Sequence, residues 1–486
     1  MIAVPATETA PRLRNFIGGE WAASEGEGWI TDVNPSDSSD LVAHVPAGTS
    51  ADVDAAVSAA ATALPGWRSV PGPARAEILY AWAARIASRQ EELAQLVTRE
   101  VGKPIGESRG EAARCVAILR YHAGESVRAI GEVIPAQTAD VLQFTLRQPL
   151  GVVALITPWN FPVAIPLWKA APALAFGNTV VLKPAESASR CAAVIAECAA
   201  DAGVPAGVFN VVFGAGDRVG SSLIDASEVR AVSFTGSGRV GAAVATRAAQ
   251  RNIRYQTEMG GKNVAIIMPD ADLRRAAALT ASGAMRYAGQ KCTATSRVVV
   301  SRAVEDAFLD ELRAQVAALP IGPVTDPRAA IGPVISAASR DSLRHTLDTM
   351  DAECIYVGDI PRDLERGFFV SPTIVRGAAA DSALAQRELF GPVLASFPAD
   401  DLDHAIALAN ATPYGLSASL FTRDIGAALR YIERIDVGMV RVNGATTDVD
   451  PHAPFGGMKG SSSGSREQGP AARDFYTEIK TVHVHG

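Results

Sequence analysis

The stretch "GVVALITPWNFPVAIPLWKAAPALAFGNTVVLKPAES" (residues 151–187) decides the fold. Its opening "GVVALITP" is an apolar run of strand length closed by proline. Residues 163–176 then follow a helical pattern, and "NTVVLKP" returns to an apolar strand. The alternation continues toward the C-terminus. Residues 187–202 read as helix, "VFNVVFG" as strand, 217–226 as helix, "VRAVSFTG" as strand and 237–250 as helix. Continuous apolar strands separated by helices predict a parallel sheet covered on both faces. Such sheets bind ligands outside the carboxyl ends of their strands.

A second alternation begins near residue 259. It runs through "NVAIIM", a helix at 272–288, "SRVVVS", a helix at 303–318, "PTIV", "PVLASFP", a helix at 403–409, "LSASLFT", a helix at 424–435 and "GMVRVN". Upstream, 15–48 reads as short strands and turns. Ser50 is expected to cap a helix, with Asp52 and Asp54 in its first turn, where acids suit the helix dipole. Residues 51–64 and 73–100 read as helices. "GEVIP" and "VLQFTLRQPLG" (131–151) read as a hairpin insertion, and the tail "FYTEIKTVHVHG" alternates like an edge strand. No internal repeat or long linker is evident.

Composition narrows the function classes. The chain has 486 residues, enough for several units with sizeable cores. With 48% hydrophobic and 20% charged residues it reads as globular. Net charge is −7 and no run of five or more basic residues occurs, so no nucleic-acid partner is expected. The most apolar stretch, 161–182, is interrupted by Pro162, Pro166, Lys169, Pro172, Gly177 and Asn178, which argues against a membrane span. The N-terminus lacks the apolar region of a secretory leader. Five cysteines without a C-x-x-C pair, and seven histidines without H-x-x-x-H, argue against a metal cluster or a disulfide framework. A cytoplasmic protein is expected.

Several short motifs sit at ends of these strands. "FTGSGRVG" holds Gly236-x-Gly238-x-x-Gly241 between a strand and a helix, the context of a dinucleotide fingerprint. In a chain with 42 glycines the pattern alone is weak. Extended naively, it makes Glu258 the ribose acid. In "LKPAES", Lys183 and Glu186 suit ribose or phosphate contacts, or an ordinary solvated strand end. In "PWNF", Asn160 can donate to an oxyanion or simply start a turn. In "TEMGGKN", Glu258 suits a general base or a salt bridge. "GSSSG" (460–464) fits the hydrolase pattern G-x-S-x-G but lacks a preceding buried strand, so it reads as coincidence. Cys292 in "YAGQKCTATSRVVV" (287–300) is a nucleophile or a small core residue.

Taken in order, "PWNFP", "KPAE", "FTGSGRVG", "EMGGKN", "GQKC", "ELFGPV", "NATPYGLSASLFT" and "PFGGMKGSSSGSREQG" resemble the aldehyde dehydrogenase superfamily from about residue 14 to 483. The resemblance implies an α/β fold with three parts. These are a Rossmann-type NAD(P)-binding domain (1–130 and 151–257), an α/β catalytic domain (258–445) and a small β oligomerisation arm (131–150 and 470–486). It implies that Cys292 attacks the aldehyde to form a thiohemiacetal, then a thioester. Asn160 and the Cys292 N–H would form the oxyanion hole, and Glu258 would activate the hydrolytic water. It also implies cofactor contacts from Thr157, Trp159, Lys183, Glu186, Gly236, Ser237, Met259, Glu388 and Phe390. Glu186 thereby replaces Glu258 as the ribose acid. Its charge opposes a 2′-phosphate, so NAD is expected over NADP.

The chain departs from the commonest pattern at Met259 (usually Leu) and Gly238 (usually Thr). "KGSSSGSREQG" is similar to the branch that includes α-ketoglutaric semialdehyde (2,5-dioxopentanoate) dehydrogenases. Trp168 stands where many succinate-semialdehyde enzymes carry Arg, so that carboxylate anchor is missing. A homodimer or homotetramer acting on a small aldehyde is expected. Rival readings are a succinate-semialdehyde or other aldehyde dehydrogenase, a CoA-acylating enzyme, which typically lacks the Glu258 base, a thiol hydrolase using Glu258, Lys262 and Cys292, and a non-catalytic binding protein.

Overall fold

The computed structural model describes residues 10–486. The leader-free reading of the extreme N-terminus falls mainly on residues 1–9, outside those described. The 151–187 stretch forms the strand Val152–Ile156, the helix Ala164–Ala175 and the strand Thr179–Lys183, and both strands are buried at every position. They lie at the centre of an eight-stranded sheet. Its parallel core runs Phe209–Val211, Thr179–Lys183, Val152–Ile156, Val229–Thr235, Arg254–Glu258. In chain order this is 3-2-1-4-5, so the order reverses between Val152–Ile156 and Val229–Thr235. The carboxyl ends of those two strands flank the crevice where doubly wound sheets take ligands.

Each edge of the sheet is closed by a short antiparallel piece. Asn15–Ile17 pairs with Phe209–Val211 on one side. On the other, Ser462–Ser463 returns from far along the chain to pair with Arg254–Glu258, setting Ser462 opposite Glu258.

A second sheet of seven strands is ordered Glu353–Val357, Thr373–Arg376, Val393–Ala399, Arg297–Ser301, Val264–Ile267, Ser417–Phe421, Met439–Val442. All its pairings are parallel except the one made by Glu353–Val357. It has its own buried core, centred on Ile266, Val299, Leu394 and Leu420. A third sheet joins Val133–Ile134, Val141–Pro149 and Thr477–His485, the last two antiparallel over nine residue pairs. Among the described residues no helix is long and apolar enough to cross a membrane.

Helix ends differ from the sequence expectations for local reasons. Thr49, not Ser50, caps the helix Ser50–Ser69 through a capping box with Asp52. Asp52 is buried and also accepts from Asn15, Ser24 and Glu25, which holds the helix start in place. The expected helix 73–100 breaks at Arg89 into Gly72–Ser88 and Gln90–Val101. The helices Ile105–Glu125 and Ala337–Asp348 were not read from the sequence at all. The tail strand starts only at Thr477, because Phe475 and Tyr476 end the helix Gly469–Tyr476 and are buried in the first core. The expected helix 272–288 stops at Met285. There the chain enters a left-handed turn, with φ of 55° at Tyr287, 51° at Ala288 and 67° at Gly289. A Cβ at Gly289 would lie 2.5 Å from the Gly391 carbonyl oxygen, so only glycine closes this turn.

Candidate active site

The left-handed turn delivers Gln290 and Cys292 between the two sheets. Gln290 is buried and locked: its amide donates to the carbonyls of Tyr287 and Pro333, and its Oε1 accepts from the Ile335 N–H. The Gln290 carbonyl accepts from Asn160 Nδ2 at 3.0 Å. Asn160, in the loop after Val152–Ile156, is thereby tied to the segment carrying Cys292. Its Oδ1 is buried with no partner among the described residues. The Cys292 carbonyl accepts from Asn263 Nδ2 at 2.8 Å, and Asn263 also binds Ala294 O and Ser417 N–H. Hydrogen bonds from both sheets therefore fix the backbone around a single thiol.

Cys292 is half-buried, whereas Cys115, Cys191 and Cys198 are buried and Cys354 is exposed. It opens on a cavity of about 240 Å³ lined by Phe161, Trp168, Val449 and Phe455, and by polar groups of the helix Ile105–Glu125. Trp168 and Phe455 pack as tilted rings 5.6 Å apart. Desolvation pushes the Cys292 thiol up to about 12, with the carboxyls of Glu388 and Glu258 adding to the effect.

Glu258 closes its strand and is buried. Desolvation, then the nearby Glu467 carboxylate, holds its carboxyl well above the usual range. Ser462 Oγ donates to its Oε2 at 2.5 Å, and among the described residues Oε1 has no partner. Gly456 lies beside it without a side chain; a Cβ there would come within 2.6 Å of Oε1. Beneath Glu258, Glu467 forms a buried ion pair with Lys169, joined by Ser233 and Gln256. Three consecutive serines of "GSSSG" join the site. Ser461 O accepts from Met259 N–H, Ser462 binds Glu258, and Ser463 shares a hydrogen bond with Thr257. Ser462–Ser463 is an edge strand, not the strand-turn-helix corner of a hydrolase elbow. The motif itself carried no sign that the segment supports Glu258, because the pairing is 204 residues apart in sequence.

The crevice between the two central strands collects the remaining residues. Lys183 Nζ and Glu186 Oε1 are 3.0 Å apart, and Gly216 faces both. Thr157 follows Val152–Ile156 and Thr235 ends Val229–Thr235; each has a buried hydroxyl without a partner among the described residues. Gly236 and Ser237 start the helix Gly238–Gln250, and no side chain caps its N–H groups. Met259 packs on Gly241, where a Cβ would be 2.4 Å from its sulfur. On the far side Glu388 accepts from Gly261 N–H at 3.1 Å and occupies the space that a Cβ at Gly260 would need. Burial pushes Glu388 up to about 7 and Lys262 down to about 7. Phe390 adopts a φ of 55° and meets Trp159 edge-on at 5.6 Å. Unpartnered hydroxyls, an uncapped helix start and glycine-lined walls on one crevice fit a dinucleotide.

A doubly wound sheet, a nucleotide-type crevice and a cavity-facing thiol meet in one place. The chain belongs to the aldehyde dehydrogenase family, whose family model matches residues 21–482, and is by class an NAD(P)-dependent aldehyde dehydrogenase. It is 46% identical over 97% of both chains to the alpha-ketoglutaric semialdehyde dehydrogenase of Bacillus subtilis. It is 42% identical to the alpha-ketoglutarate semialdehyde dehydrogenase of Haloferax volcanii, over 97% of this chain and 98% of that one. Among solved structures, the NAD-dependent aldehyde dehydrogenase of Sinorhizobium meliloti superposes with a TM-score of 0.95 at 36% identity, covering 100% of this chain and 97% of that one.

Proposed function

We propose that the chain oxidises α-ketoglutaric semialdehyde to the corresponding dicarboxylic acid, with Cys292 as nucleophile. The observation that carries this reading is the meeting of a cavity-facing thiol with Asn160 and Glu258. Cys292 sulfur attacks the aldehyde carbon as its thiol proton passes to solvent, giving a thiohemiacetal whose oxygen lies toward the Cys292 N–H and the second amide hydrogen of Asn160. Each such donor is worth about 100–1,000-fold in rate. A nicotinamide held in the crevice would supply the acceptor for the hydride that the aldehyde carbon loses. Glu258 then takes a proton from water through the unpartnered Oε1, the hydroxide adds to the Cys292 thioester, and the acid leaves as the thiol is restored. The presence of Glu258 favours hydrolysis over acyl transfer to CoA.

In this reading Lys183 and Glu186 hold the adenosine ribose, and Gly236 and Ser237 the pyrophosphate. Thr157, Trp159, Met259, Glu388 and Phe390 enclose the nicotinamide half. The negative Glu186 favours NAD. The nucleotide unit comprises 1–130 and 151–257, and the catalytic unit 258–445. Residues 131–150 and 470–486 serve as the oligomerisation arm of a cytoplasmic homodimer or homotetramer. The exposed Leu142, Leu146, Ile479 and Val484 on its sheet support a partner there, and light scattering after gel filtration tests it; a monomer would refute it.

A panel of ω-carboxyl, aliphatic and aromatic aldehydes, each assayed with NAD and NADP and with or without CoA, tests the whole reading. Highest kcat/KM is expected for 2,5-dioxopentanoate with NAD, independent of CoA. Equal turnover of uncharged aldehydes would overturn the substrate, and strict CoA dependence the hydrolysis.

A further inference from the structure

With Trp168 in place of an arginine, the cavity lacks the carboxylate anchor that the sequence comparison suggested for succinate-semialdehyde enzymes. The charged groups that line the cavity therefore decide what it can hold. The helix Ile105–Glu125 supplies Glu107, Glu111 and Arg114, and the loop of Cys292 supplies Lys291. Glu107 is taken by Lys291 at 2.7 Å. Glu111 is taken by buried Lys103 and by the N–H groups of Val163 and Ala164, both at 3.0 Å. Arg114 pairs with neither, and among the described residues its guanidinium has no hydrogen-bond or ion-pair partner. The cavity that faces the thiol therefore carries one uncompensated positive charge.

The helix is built to expose that charge. Gly106, Gly110 and Arg114 follow at intervals of four, which places them on one stripe of the helix. A Cβ at Gly106 or Gly110 would meet nothing within 4 Å, so the stripe leading to Arg114 is open space. The opposite walls are Phe161, Trp168, Val449 and Phe455, which offer no competing charge. A cavity that holds both a thiol and a free guanidinium, with aromatic rings on its walls, suits an aldehyde that carries a carboxylate at its other end. The planar guanidinium can bind such a carboxylate through two parallel N–H bonds.

We infer that Arg114 is the specificity-determining residue that binds the distal carboxylate of the substrate. This inference rests on the proposed ω-carboxyl substrate class. It does not involve the cofactor or the acyl chemistry.

The test compares 2,5-dioxopentanoate with pentanal as substrates of the wild type, Arg114→Ala and Arg114→Lys. Glutarate, an unreactive five-carbon dicarboxylate, serves as competitive inhibitor. In the Arg114→Ala variant the kcat/KM ratio of dioxopentanoate to pentanal should fall at least tenfold, through KM rather than kcat. The glutarate inhibition constant should rise in parallel. Arg114→Lys should recover part of both, since it keeps the charge and loses the fork. A misfolded variant would lose turnover of both substrates in proportion, a loss that cancels in the ratio. If the wild type prefers dioxopentanoate and Arg114→Ala keeps that preference, the Arg114 inference is overturned and the substrate reading stands. If the wild type shows no preference, the substrate reading fails. Arg114 is then judged by glutarate alone, and equal inhibition of wild type and Arg114→Ala overturns it.

Discussion

The Ser462 hydroxyl donates to Oε2 of Glu258 at 2.5 Å, across the strand pairing that carries a late segment of the chain back to the first sheet. A hydrogen bond to the charged form of a carboxyl lowers its pKa, here against desolvation and the Glu467 charge, which raise it. Ser462 thus sets how much of Glu258 is ionised near neutral pH. In Ser462→Ala the carboxyl should lose its proton at still higher pH. The acidic limb of kcat against pH should move to the alkaline side, and each unit of movement lowers turnover on that limb about tenfold. Superimposable profiles for the two proteins would dissociate Ser462 from the base.

Glu258→Gln keeps the hydrogen bond to Ser462 possible but removes the proposed base. In the proposed mechanism, aldehyde addition at Cys292 and loss of hydride do not need that carboxylate, whereas thioester hydrolysis does. Stopped-flow assays should therefore retain a burst of reduced nicotinamide, followed by steady-state turnover lower by about 100–10,000-fold. Loss of burst and steady state together would place Glu258 in thiol activation.

The thiol itself is held protonated. With its pKa pushed up to about 12, Cys292 without ligands should react slowly with iodoacetamide at neutral pH. The rate should climb roughly tenfold per pH unit, without a plateau below about pH 10. Mass spectrometry of the Cys292 peptide separates it from exposed Cys354. A plateau near neutrality would mean that a nearby donor stabilises the thiolate.

Glu186 offers a test of cofactor preference that leaves the acyl chemistry alone. Its carboxylate lies 3.0 Å from Lys183 Nζ, at the glycine-lined mouth of the crevice. Glu186→Gln removes the charge that opposes a 2′-phosphate and leaves Lys183 unpaired. The NAD-to-NADP ratio of kcat/KM should fall about tenfold, chiefly through KM for NADP. An unchanged ratio would assign the preference elsewhere.

What the sequence disclosed depended on how local the signal was. The buried strands Val152–Ile156 and Thr179–Lys183 were legible because every residue is apolar or placed at a strand end. Cys292, Glu258 and Asn160 were legible only jointly, since each has an ordinary structural use when taken alone. Ser462 was not, because its role comes from a strand pairing between segments about 200 residues apart. Arg114 was not legible either. Only the pairing of Glu107 with Lys291 and of Glu111 with Lys103 leaves its charge unmatched. The helix ends at Thr49 and Arg89 turned on tertiary contacts of Asp52 and on a local break, which periodicity does not register.

Asn160 provides the sharpest separation of binding from chemistry. Its Nδ2 already donates one hydrogen to the Gln290 carbonyl, which aims the other along the same planar amide. Asn160→Ala removes the proposed oxyanion donor and also frees the Gln290 carbonyl. Asn160→Asp keeps the size but sets an acceptor-only group against that carbonyl and against the developing oxyanion. Both variants should lose about 100–1,000-fold in kcat. Their KM should change much less, because the donor strengthens only as charge develops on the oxygen. Gln290 remains anchored through Tyr287, Pro333 and Ile335, so the Cys292 loop should keep its place and thermal melting should shift by only a few degrees. Steady-state kinetics with the preferred aldehyde, alongside melting curves, decide the matter. A KM effect as large as the kcat effect would make Asn160 a ground-state contact instead of a stabiliser of the oxyanion.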